Sequence, residues 1–343
     1  MTESTSARAE TPAAETPAAE APPALPAFLV VDKPEGITSH DVVAMVRAVL
    51  GVKKVGHTGT LDPFATGVLP LALGSATRLI QYLDEDLKVY DATIQLGSAT
   101  DTGDCTGQEV RRLPVPALDE ARVRAVLAGF AGTRMQTPPQ YSAVKVEGKA
   151  LYRYAREGKE VAVQPRPIRI DEITLTELGT DTLRVLIRCG RGTYARVLAD
   201  EIAMELGTTG HLAALRRDQS GPFLLSQALD LPTLGRFVGE REDWAAVLRP
   251  ARGEERVNWR SRDLVRADVR PYLLGVSPLL AHLPMVELSP GQRDLLIRAG
   301  HPPAVPPGVP EGTVLRAVFG GRILALVQAS PGRAKLVWSE REG

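Results

Sequence analysis

The chain has 343 residues, 44% of them apolar, with 41 acidic and 41 basic side chains and a formal net charge of zero. That length and apolar share allow one large domain or two domains around a real core. Only two cysteines, Cys105 and Cys189, and five scattered histidines occur, so no disulfide framework, CxxC pair or metal-spaced cluster is available, and with neither a membrane-length apolar run nor a signal peptide a soluble cytoplasmic protein is expected.

Residues 1–26 are rich in Ala, Pro, Thr and Glu and carry a charge of −3. So little apolar surface predicts a disordered tail. Phe28 to Val31 reads as a short buried strand, and Asp32-Lys33-Pro34-Glu35-Gly36 as a turn. Thr38 or Ser39 then caps a helix with Val42, Val43, Met45, Val46, Val49 and Leu50 on its apolar face, stopped by Gly51.

Val55 to Pro70 is a different kind of segment, with three glycines, two prolines, one His and one Asp. It reads as a shaped loop. Asp62 is the one carboxylate between Gly56 and Thr77. Two readings fit it: a turn-forming Asp before Pro, the commoner case, or a nucleophile or general base.

Val68 to Leu73 reads as a buried strand, and Ser75 as the cap of a helix over Ala76 to Leu83. From Tyr90 the chain alternates, with Tyr90, Ala92, Ile94 and Leu96 on the apolar face of a half-buried strand. Gly97 to Gly107 is a polar loop whose two Asp lack the ligand spacing of a calcium loop. Pro116 to Phe130 has helical spacing. Gln136 to Lys149 is a Pro-broken basic loop and strand, and Leu151 to Glu157 a short basic helix. Strands follow at Arg169 to Thr176 and Leu183 to Cys189. A helix over Thr193 to Leu206 has Tyr194, Val197, Leu198, Ile202 and Leu206 on its apolar stripe, with Arg196 in the first turn pointing off it.

Between Arg134 and Arg196 there are twelve basic and seven acidic side chains. That local bias is compatible with phosphate contacts and equally with a solvated face. Residues 233–283 read as a connecting segment. From about Val286 short strands (Thr313 to Phe319, Arg322 to Gln328, Arg333 to Trp338) form a small all-β module.

Gly56-His57-Thr58-Gly59-Thr60-Leu61-Asp62-Pro63-Phe64-Ala65-Thr66-Gly67-Val68-Leu69-Pro70 resembles the signature of the tRNA pseudouridine synthase B (TruB) family. The resemblance continues in order through Asp32-Lys33-Pro34-Glu35-Gly36, Lys88-Val89-Tyr90, Thr100 to Asp104, Pro139 to Lys145, Gly192 to Arg196 and Leu215-Arg216-Arg217. It spans about Phe28 to Gln227.

The resemblance implies an α+β fold: a pseudouridine-synthase domain over 27–232 with a central mixed, mostly antiparallel sheet flanked by helices. It also implies a PUA-like, RNA-binding β-barrel over 284–341. It implies an isomerase that converts uridine-55 in the T-arm of tRNA to pseudouridine by base flipping, with no cofactor, no metal, no membrane and no protein partner, as a monomer. It makes Asp62 the essential carboxylate and Arg196 its charge partner. Tyr90 stacks on the flipped uracil, Tyr194 and Leu215 line the pocket, and His57 faces the T-loop. Lys33, with Arg78, Lys145, Arg216 and Arg217, is a candidate for a phosphate contact or a structural ion pair. By default Tyr90, Tyr194 and Leu215 are core and Arg196 a surface helix residue. The alternatives in other classes are an RNA-binding or tRNA-folding module without catalysis, and a synthase of the same fold that works with a guide complex.

Overall fold

The computed structural model describes residues 25–84, 86–142, 144–146, 148–159, 161–230, 233, 269–331 and 333–340. The expected disordered tail, to residue 24, and the connecting segment over 234–268 lie outside them.

Strand β1 (Ala27–Lys33) is almost wholly buried and leads through the Pro34–Gly36 turn into helix α1 (Ser39–Leu50). Thr38 caps α1 with a capping box to Asp41, and the helix buries the predicted Val42, Val43, Met45, Val46, Val49 and Leu50. Each such side chain contributes about 1.5–3 kcal/mol by leaving water. Strands β2 (Val55–His57) and β3 (Thr66–Leu73) bracket the Asp62 loop. The helix expected over Ala76 to Leu83 is instead two single 3-10 turns, Gly74–Arg78 and Ile80–Tyr82.

The chain then runs through β4 (Lys88–Leu96), the hairpin β5 (Ser98–Thr100) and β6 (Glu109–Arg112), helix α2 (Glu120–Ala128) and β7 (Gly132–Gln136). A small hairpin, β8 (Lys145–Val146) and β9 (Lys149–Ala150), precedes helix α3 (Leu151–Arg156). Strands β10 (Arg166–Leu178) and β11 (Thr182–Cys189) lead to helix α4 (Ala195–Glu205). Next come β12 (Gly210–Ser220), β13 (Phe223–Leu224) and β14 (Leu229–Asp230).

The main sheet has the order β14-β1-β3-β12-β4-β11-β10-β7. Two neighbours, β1 with β14 and β12 with β3, are parallel and the others on this path antiparallel, which makes the sheet mixed and mostly antiparallel as expected. Part of the segment read as a connector belongs to it: β15 (Leu273–Gly275) pairs with β1.

Helix α5 (Val276–Leu279) follows, then β16 (Met285–Glu287), α6 (Pro290–Ala299), β17 (Val314–Phe319), β18 (Arg322–Ser330) and β19 (Arg333–Ser339). These last four strands form a second sheet in the order β16-β17-β18-β19. Among the described residues that sheet is open, since β16 and β19 are not paired, where a closed barrel was expected.

The two sheets share a core. Phe28, Val30, Val68 and Ala72 pack in one cluster with Val318, Ile323, Leu326 and Trp338. Trp338 is 1% exposed, and its indole N–H donates to the Ser75 carbonyl at 3.1 Å.

Candidate active site

The Asp62 loop is fixed from every side. Leu61, Phe64 and Ala65 are buried in the core and anchor it from below. Ser39, the first residue of α1, accepts from the Leu61 N–H at 2.9 Å and donates to its carbonyl at 3.0 Å. The Gly36 N–H donates to the Pro63 carbonyl at 2.8 Å, and the Ala65 N–H to the Asp62 carbonyl at 3.1 Å.

Arg217 on β12 is 2% exposed and holds the other limb. Its guanidinium donates to the carbonyls of Val68 (2.8 Å), Gly59 (3.1 Å) and Thr60 (3.4 Å). The backbones of β12 and β3 come this close at Arg217 because residue 67 is glycine. Its φ is +102°, and a Cβ there would lie 2.2 Å from the Arg217 carbonyl oxygen.

With its flanks buried, Asp62 is turned outward into a cleft of about 440 Å³, also lined by Tyr90, Tyr194, Arg196 and Leu215. The Asp62 carboxylate stays 38% exposed while Arg196 is 6% exposed, and Nε of Arg196 lies 2.9 Å from Oδ2 of Asp62. The rest of the guanidinium donates to the carbonyls of Thr102 (2.6 Å) and Tyr141 (2.7 Å). Arg196 thus joins α4 to two loops and the catalytic candidate. Its off-stripe position in α4, which outside the resemblance reads as surface, points into this polar socket.

A second carboxylate stands behind it. Asp104 is 5% exposed, with Oδ2 3.9 Å from the same Arg196 nitrogen. Its other oxygen accepts from Thr102 Oγ1 (2.8 Å), Thr106 N (3.0 Å) and Thr106 Oγ1 (2.6 Å). Burial pushes the Asp62 carboxyl above the usual carboxylate range. Arg196 opposes that, and the Asp104 charge adds to it.

Tyr90 on β4 sits opposite Arg217 in the β4–β12 register, and burial holds its phenol neutral above the ordinary range against the pull of Arg217. Tyr194 precedes α4. Its N–H donates to Gln136 Oε1 at 2.8 Å and its carbonyl accepts from Gln136 Nε2 at 3.2 Å. Leu215, 8% exposed, lines the same cleft.

Two residues sit elsewhere. His57 is beside the cleft on β2, its ring edge-on to His40 at 5.4 Å. Burial, then His40 and Arg217, lower its pKa. Lys33 is fully buried beneath the loop and donates to the carbonyls of Pro34 (2.8 Å), Ile37 (2.9 Å) and Pro63 (3.2 Å). An ammonium enclosed by three carbonyls does not reach a phosphate, so the phosphate contact considered for Lys33 does not fit. Its burial lowers its pKa to about 8.

Arg216 is taken by Asp32 at 2.7 Å. Arg78 and Lys145 are exposed away from the cleft lining. Ser39, Asp104 and Gln136 carry parts of the site that reading the sequence left unassigned. Among the described residues no group of His, Cys, Asp and Glu could hold a metal ion, and no helix is long and apolar enough to cross a membrane.

Residues 47–195 match the model of the TruB family pseudouridylate synthase (N terminal domain). The chain is 40% identical over 319 residues to the tRNA pseudouridine synthase B of Geobacter sulfurreducens, which covers 91% of this chain and 95% of that protein. It is 38% identical over 321 residues to the one of Geotalea uraniireducens, covering 90% and 94%. Among solved structures, a chain of a Cbf5-Nop10-Gar1 complex matches with a TM-score of 0.65 at 25% identity, covering 92% of this chain and 86% of that one.

Proposed function

The chain belongs to the TruB family of pseudouridine synthases, and from that we propose that it isomerises uridine-55 in the T-arm of tRNA, with Asp62 as the essential carboxylate. One observation carries the assignment of Asp62. It is the single side chain of its loop that is both half-open to the cleft and ion-paired to a buried arginine. A cleft of about 440 Å³ also lies within the size range of small-ligand sites, about 300–1,000 Å³.

A uridine inside a folded RNA arm has to leave its stack, at about a few kcal/mol. Stacking on Tyr90 returns about 1–3 kcal/mol. The ionised Asp62 acts on the sugar–base unit. The N1–C1′ bond breaks, the uracil turns within the cleft and C5 bonds to C1′. The C5 proton leaves to solvent and N1 takes one up, so the product is an isomer of the substrate. Tyr194 and Leu215 bound the space in which the detached base turns. Arg196 keeps Asp62 charged and in place.

His57 borders the T-loop side of the site, and Lys33 supports the loop from beneath. The second sheet serves as an RNA-binding, PUA-like module. The protein acts as a cytoplasmic monomer without a protein partner or cofactor.

The test is an unmodified tRNA transcript incubated with the purified protein and mapped with a carbodiimide that marks pseudouridine. One new mark at position 55 is expected. A mark elsewhere, or none, contradicts the assignment.

A further inference from the structure

A flipped nucleotide brings its flanking phosphates to the mouth of the cleft. Four cations line that cleft: Lys88, Arg191, Arg196 and Arg217. Three of them are engaged inside the protein. Lys88 is buried and donates to Ser220 Oγ at 2.7 Å. Arg196 is held by Asp62, Thr102 and Tyr141, and Arg217 by the carbonyls of the Asp62 loop and β3. Arg191 differs. It is exposed and has no hydrogen bond or ion pair among the described residues.

The turn that carries Arg191 is fixed. The Gly190 N–H donates to the Arg169 carbonyl at 2.8 Å, and Thr193 Oγ1 donates to the Gly190 carbonyl at 3.0 Å. Gly192, at φ +85°, supplies the left-handed angle that brings the chain back to Tyr194. The backbone is therefore pinned on both sides of a free guanidinium at the rim.

We propose that Arg191 binds the phosphodiester next to the flipped uridine. The inference rests on reading the cleft as a uridine site. A guanidinium fork matches two phosphate oxygens, which a single ammonium does less well. The contact is made in the ground state and the transition state alike, so it acts on KM and not on kcat. It also adds one released counterion to the salt dependence of binding.

The experiment uses the full chain and tRNA carrying tritium at uridine C5. Turnover and equilibrium tRNA binding are measured in parallel over a series of salt concentrations, for the wild type, Arg191→Ala, Arg191→Lys and the distant Arg124→Ala. For Arg191→Ala the expected result is a KM and a Kd raised about 5–10-fold, an unchanged kcat, and a log–log salt slope smaller by about 1. Arg191→Lys keeps the slope and recovers part of the affinity. Arg124→Ala matches the wild type.

An unchanged slope and Kd in Arg191→Ala, or a loss confined to kcat, overturns the proposal. Binding is measured without turnover. A wild type that binds tRNA but releases no tritium therefore counts against the uridine reading, while the Arg191 contact is still decided by its own slope.

Discussion

Arg196 Nε stands 2.9 Å from Asp62 Oδ2, and the arginine is far the more buried of the two, 6% against 38% exposed. The arginine is fixed by the fold and the carboxylate is presented by it. The carbonyls of Thr102 and Tyr141 hold the rest of the guanidinium. Asp62 then has a charge partner and an open side.

The pair predicts a pH profile. Burial raises the Asp62 pKa above its ordinary 3.8, and Arg196 lowers it. The active form is the anion, so kcat falls as pH drops through an apparent pKa above 3.8. Removing Arg196 removes a lowering influence. In Arg196→Ala the acid limb therefore shifts to higher pH, and kcat drops by about 10²–10³. An acid limb that stays in place would mean the two charges do not communicate.

Much of this site was legible in the chain itself. The capped helix α1 and the alternation that sets Tyr90 on the apolar face of β4 are local properties and match the structure, while the Gly/Pro-rich segment over Val55 to Pro70 is a loop only between β2 and β3, its two ends being strands. The role of Asp62 was not legible from spacing, because a turn former and a nucleophile look the same there. The strand β12 was missed, although it lies in the middle of the sheet. Its Arg216-Arg217-Asp218-Gln219 run is polar throughout, yet Arg217 is buried by carbonyls distant in sequence. The burial of Lys33 and Arg196 escaped for the same reason. Lys33 is held by backbone carbonyls, and two of the groups that hold Arg196 are backbone carbonyls as well, which leave no trace in residue type.

Lys33→Met leaves the Pro34, Ile37 and Pro63 carbonyls without their donor. Each buried orphan costs about 1–3 kcal/mol, and the loop holding Asp62 loosens. Lower thermal stability and lower kcat are expected together. The pH dependence has a definite sign. In the folded protein Lys33 loses its proton near pH 8, and in the unfolded chain near 10.5. Between those values the unfolded state binds more protons, so folding gains stability as pH rises. Denaturant unfolding of wild type and variant should therefore show a gap that widens from pH 8 toward 10. A gap that narrows over that window would refute the placement of this amine.

Gly67→Ala places a methyl group 2.2 Å from the Arg217 carbonyl at φ +102°. Strain of that kind costs about 1–3 kcal/mol before the clash is counted. A lowered Tm with loss of turnover is expected. A variant as stable as the wild type would show that β3 and β12 are not in this contact.

Trp338→Ala empties a site shared by the two sheets. The expected cost is about 3–5 kcal/mol. Because Phe28 and Val68 pack in the same cluster as Trp338, both sheets should melt in one calorimetric transition, shifted down as a whole. Two transitions, with only the second moved, would mean that the sheets fold independently.

The most direct measurement is tritium release from C5-labelled uridine in tRNA by Asp62→Asn, with tRNA binding followed alongside. The substitution keeps the shape of the side chain and removes its charge. Binding within a few-fold of the wild type and no detectable release is the predicted result. Sustained release at a rate near that of the wild type would contradict the assignment of Asp62 as the essential carboxylate.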